Sequence, residues 1–154
     1  MPLSTRAIVF AGLGAVLLMP VLLIGCGFSS SRDAASATME DYFTAIEARD
    51  YPAAMACYAD AFFEKTSRNA WEHKLRGYNR QLGDLERFEA KSWNVKKHVG
   101  ANGGTFVQVV YKTAYSRHPA MEMFVLQKGA EGFRIIAHRV EVKGAPKQGE
   151  TEFI

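Results

Sequence analysis

The chain changes its hydrophobic period once, at Gly83, and that change divides what it can fold into. Before it, Met39, Tyr42, Phe43 and Ile46 fall at i, i+3, i+4 and i+7, with Glu40, Asp41 and Glu47 off the stripe. That spacing predicts a helix, capped by Ser36 and ending at Asp50. In "DYPAAMACYA", Pro52 suits a first helical turn, so a short second helix is expected through Tyr58. Asp60 to Thr66 is expected to be a connector carrying Phe62 and Phe63. "TSRNAWEHKLRGYNRQLG" predicts a third helix: a Thr66 or Ser67 cap, Trp71, Leu75 and Tyr78 or Leu82 on one side, and Gly83 as its stop.

After Gly83 apolar residues alternate. Four strand-like runs follow: Leu85–Val95, "TFVQVVYKTAY", "AMEMFVLQK" and "GFRIIAHRVEV". In the second, Val107, Val109, Tyr111, Thr113 and Tyr115 share one side. Gly100 to Gly104, His118-Pro119 and Gly129 to Gly132 are turn signals, so the strands should pair as an antiparallel meander. Three helices and then four antiparallel strands predict an α+β domain, with helices packed on one sheet face.

The first 25 residues follow a different plan. Arg6 is their one charge, and Ala7 to Ile24 carries none. This is the layout of an export signal. It ends in Leu23-Ile24-Gly25-Cys26, which resembles the lipobox of bacterial lipoproteins. The resemblance implies a diacylglyceryl group on the Cys26 thiol, cleavage before it, and acylation of the new amino terminus (palmitate is a usual acyl chain of such anchors). An uncleaved membrane anchor and a plain secretory signal are the alternatives. Gly27 stands where an inner-membrane retention aspartate would, so the implied address is the outer membrane, facing the periplasm. Residues 1–25 are then signal peptide, 26–35 lipidated cysteine and flexible tether (continuing to Ala37), 36–142 the domain and 143–154 a flexible tail.

Composition narrows the partners. Without Arg6, 18 Lys+Arg stand against 16 Asp+Glu, an excess too small to imply nucleic acid. With lipid on Cys26, Cys57 is left without an intramolecular partner, so no disulfide is expected to hold the fold.

Helix, short helix, helix, then sheet is similar to the order of the nuclear-transport-factor-2-like, or cystatin-like, superfamily. Ala45-Ile46-Glu47-Ala48-Arg49-Asp50-Tyr51 resembles its entry into the short helix. Trp71, then Arg80-Gln81-Leu82-Gly83 and Arg87, resembles a signature of uncharacterised bacterial secreted and lipoprotein members. The resemblance implies a curved sheet wrapped as a cone around a cavity, and no particular activity.

Residues able to do chemistry are few. Asp60 with Tyr58 and Tyr42 could supply a base and an oxyanion donor for an isomerase- or hydrolase-like cone enzyme. The competing reading is a helix-terminal aspartate beside packed tyrosines. His73, His98, His118 and His138 fit no metal-ligand spacing, so neither metal nor cofactor is expected. His138, grouped with Ile136 and Val140, should be the most buried of them. Cys57 reads as a small core residue. Trp71, Trp93, Tyr111 and Tyr115 either line one pocket for a small apolar ligand or fill the core. The expected function is a lipid-anchored envelope domain that binds a protein partner or small apolar ligand without catalysis. A small acid/base enzyme is the alternative.

Overall fold

The computed structural model describes residues 26–100 and 103–142, with side chains from Ser29 onward. The expected signal peptide, the Cys26 side chain and the carboxyl-terminal tail lie outside the described residues. Four helical segments, α1 (Cys26–Glu47), α2 (Tyr51–Ala56), α3 (Asp60–Phe63) and α4 (Arg68–Leu82), precede four strands. These are β1 (Leu85–His98), β2 (Gly104–Tyr115), β3 (Ala120–Gly129) and β4 (Gly132–Val142). The strands pair antiparallel in sequence order in one sheet, the expected meander of an α+β protein.

Two elements depart from the sequence expectation. The stretch read as a tether, 29–37, is helical, and α1 starts ten residues before Ser36. Ala35 is fully buried and Ser31 nearly so. Small side chains let the helix backbone approach the sheet there, so the stretch lacks the bulky apolar residues that would have marked it. The connector after Tyr58 contains the single turn α3, which buries Phe62. Four residues are too few to show a period.

The predicted stripe does pack. Met39, Tyr42, Phe43 and Ile46 are buried against the sheet. Thr38 Oγ1 donates to the Phe133 carbonyl at 3.1 Å, tying α1 to β4. Asp50 caps α2 by accepting from the Ala53 N–H at 3.0 Å. Beyond α2, Ile135 N–H donates to Cys57 O and Ala59 N–H to Ile135 O, both at 2.9 Å. This short parallel bridge covers the β4 edge at Ile135.

Ser67 caps α4 through the Ala70 N–H at 3.1 Å, and Gly83 ends it with φ of 92°. A Cβ at Gly83 would lie 2.1 Å from Ser116 Oγ, so only glycine fits. The close approach has a purpose. Arg117 and His118 N–H groups donate to the Leu82 carbonyl, and Ser116 N–H to Asp84 O. The β2–β3 turn thereby takes up a backbone acceptor that the end of the helix leaves open.

Val107, Val109, Tyr111 and Thr113 face the core as predicted, with Phe124, Leu126, Phe133 and Ile135 beside them. In β4 a register shift opposite Val125/Leu126 puts Ile135 against Leu126 and His138 against Phe124. The inward residues are therefore Ile135 and His138; the expected grouping of His138 with Ile136 is corrected by this bulge.

Candidate functional site

The core contains a polar network centred on β3 and β4. Glu122 occupies an inward position of β3, between Ala120 and Phe124, and is 1 % exposed. The His138 side chain is likewise 1 % exposed and its Nε2 lies 3.0 Å from Glu122 Oε2. Tyr115, at the end of β2, donates its hydroxyl to Glu122 Oε1 at 2.7 Å. On the other side of the imidazole, Tyr58 hydroxyl lies 2.8 Å from Nδ1. The Tyr42 ring, from α1, meets the Tyr58 ring edge-on with centroids 6.0 Å apart. Phe124 stacks on the imidazole with ring centroids 4.1 Å apart, and Trp71 meets its edge at 5.7 Å.

Donors and acceptors close on themselves. An ionised Glu122 accepts from the Tyr115 hydroxyl and from His138 Nε2–H. His138 Nδ1 then accepts from Tyr58 as a neutral imidazole, or donates to it as an imidazolium. In both states every member retains a partner, as a buried network requires. The tyrosines report the same surroundings. Burial first, and then the neighbouring Tyr58 and Glu122, push the Tyr42 phenol well up from its ordinary value. Burial raises Tyr58 strongly, although Trp71 and Tyr42 beside its oxygen act the other way. Trp71 Nε1 is close enough to exert that influence, yet it lacks hydrogen-bond geometry to any acceptor. Tyr115 is raised by burial and then by the charge and hydrogen bond of Glu122.

A Tyr–His–Glu–Tyr chain can move a proton, but a substrate would have to reach it through the aromatic core. The Glu122 and His138 side chains are both 1 % exposed, and the Tyr58–His138 contact ties the segment after α2 to β4.

The residues singled out from sequence fall as follows. Asp60 is 96 % exposed in its side chain and pairs with Arg68 at 2.6 Å, turned away from Tyr58 and Tyr42. The carboxylate that meets those tyrosines is Glu122, which sequence reasoning passed over. Its signal was legible: one charged residue at an inward position of an alternating apolar strand. Trp71 and Tyr111 are buried at 3 % and 4 %, and Trp93 and Tyr115 are partly buried against the same core. They form two groups. Trp93 meets Tyr111 at 6.2 Å, while Tyr115 joins the polar network and Trp71 packs its ring against the Tyr58 and His138 rings of that network, with Phe124 bridging the groups. Cys57 is a free thiol in the core, pushed up to about 11 chiefly by burial. Among the described residues, no three His, Cys, Asp or Glu side chains converge to hold a metal ion. No helix there is long and apolar enough to cross a membrane.

The protein is thus an α+β meander with a buried polar network in its core. Residues 38–137 match the family described as protein of unknown function (DUF4019), and the chain belongs to that family. The match takes in Tyr42, Tyr58, Trp71, Tyr115 and Glu122 and ends one residue before His138. Comparison with curated proteins and with solved structures gave no match.

Proposed function

We propose that this chain is a lipid-anchored protein of the bacterial envelope, held through diacylglyceryl Cys26, whose cystatin-like cone domain docks a protein partner without catalysis. One observation carries the docking reading: the second face of the sheet. Opposite the buried side chains, Phe106, Val110, Met121, Met123 and Val125 are all partly exposed, and the helices pack on the other face. Flexible thioethers among β-branched side chains suit a surface that a partner covers. Register shifts in β1 near Leu85 and Ala90, and in the β3–β4 pair, favour a sheet curved around α1, in keeping with a cone. Burial of Glu122 and His138 weighs against the acid/base enzyme.

The anchor reading rests on Leu23-Ile24-Gly25-Cys26. With α1 starting at Cys26, a lipid there would connect directly to a helix rather than to a loose linker. Its test is Cys26→Ser in the full chain expressed in a bacterial host. The wild-type protein is expected in the membrane fraction with the added mass of its acyl chains, and the variant in the aqueous fraction without it. Equal partitioning and equal acyl mass for the two would overturn the anchor.

A further inference from the structure

An open cleft of about 600 Å³ lies where the end of α4, the α1–α2 junction and the β2–β3 turn meet. Four guanidinium groups line it, from Arg49, Arg76, Arg80 and Arg117, against one carboxylate, Asp84. Arg76 and Arg80 reach it from successive turns of α4, while Arg49 and Arg117 come from distant positions that the backbone features already described bring to them. Arg49 has a positive φ of 55° at the end of α1, and Gly83 lets the β2–β3 turn close on α4.

The guanidiniums are not equally engaged. Arg49 pairs with Asp84, which also fixes the one acid of the cleft. Arg76 is held by Glu72 at 2.6 Å and lies over the Tyr51 ring at 4.3 Å. Arg117 donates through Nη1 to the Arg80 carbonyl at 2.9 Å and has no carboxylate partner among the described residues. The Arg80 guanidinium makes no hydrogen bond or ion pair there at all, and the residue is exposed. Two cations are thus held in place by acids, while two neighbours keep their donors for something else. Holding the two unmatched positive groups, Arg80 and Arg117, in one concave site is unfavourable unless an anion joins them.

We propose that this cleft binds a phosphate monoester, the Arg80 and Arg117 guanidiniums engaging its dianionic oxygens. Guanidinium forks match phosphate oxygens in pairs, and a tetrahedral dianion can accept from two of them at once, where a single carboxylate is filled by one. The volume falls in the range of small-molecule sites, so the cleft has room for the organic part of the ester as well as its phosphate. That group can come from a soluble phosphorylated compound or from the headgroup of phosphatidic acid. This site is separate from the outer sheet face, so its failure would leave the docking reading untouched.

Calorimetric titration of the full chain with glycerol 1-phosphate, alongside co-sedimentation with phosphatidylcholine vesicles with and without phosphatidic acid, tests it. Binding to glycerol 1-phosphate assigns a soluble ester; binding only to phosphatidic-acid vesicles assigns a lipid headgroup. In either arm Arg80→Gln and Arg117→Gln should each weaken binding about tenfold or more. Arg68→Gln, which removes an exposed arginine outside the cleft, should leave it unchanged. No binding in either arm, or an equal loss on Arg68→Gln, overturns the proposal. Melting curves of the three variants, expected to match wild type closely because their arginines are exposed, separate lost binding from lost fold.

Discussion

Glu122→Ala is expected to destabilise the domain by about 3–5 kcal/mol, the cost of removing one partner from a buried charged network. It leaves His138 Nε2 and the Tyr115 hydroxyl without an acceptor, beside residues that admit no solvent. Domains of this size have about 5–15 kcal/mol in total, so the variant should unfold at much lower urea and melt well below wild type. Glu122→Gln keeps the shape and one acceptor. Its Oε1 can still accept from Tyr115, and His138 can change tautomer, so a loss of about 1–3 kcal/mol is expected. Tyr115→Phe removes one bond and keeps the packing, for about 1–2 kcal/mol. Urea denaturation of the three variants checks the order. An alanine variant within about 1 kcal/mol of wild type would show that the network contributes little.

Alkali should unfold the protein cooperatively about one to three pH units above 10, where the accumulated loss matches a total stability of about 5–15 kcal/mol. Tyr42, Tyr58 and Tyr115 all have phenols raised well above their ordinary value of 10.0, with burial the leading cause. In the unfolded chain these phenols lose their protons near pH 10; in the native chain they keep them. Below pH 10 both states hold the protons and stability is unaffected by these groups. Above it the native state binds more protons than the unfolded one, so stability falls as pH rises. Each such tyrosine costs up to about 1.4 kcal/mol per pH unit, so three together cost about 4. Tyr78 and Tyr111, raised to about 12, act in the same direction between pH 10 and 12. Cys57, raised from 9.0 to about 11, begins the decline a unit earlier. Circular dichroism and tyrosinate absorbance followed together should change in one step. A fold that persists while all tyrosines titrate near pH 10 would contradict the burial of these rings. Tyr115→Phe should make the decline shallower.

The meander was legible because each of its parts speaks locally. Val107, Val109, Tyr111 and Thr113 alternate, and Gly100 to Gly104, His118-Pro119 and Gly129 to Gly132 break the runs. What sequence reasoning missed depends on contacts between distant segments. The first turns of α1 are buried through Ser31 and Ala35, whose small size matters only once the sheet is in place. His138 faces inward, and Ile136 leaves the pairing, because of one bulge in β4 that no period announces. Asp60 attracted notice by standing near Tyr58 in sequence, yet its partner is Arg68, while Glu122 meets Tyr115 and His138 across three strands. The arginine cleft has no local signature at all. Its residues come from three separate junctions, and each alone looks like an ordinary solvated cation.

The docking reading is tested most directly by a photo-reactive side chain at Met123, on the outer face of the sheet, in the full chain within the cell envelope. A control carries the same group at Glu64, exposed at the end of α3 on the helical side. One discrete cross-linked protein is expected from position 123 and none from position 64. No product from position 123, or the same products from both positions, would contradict it.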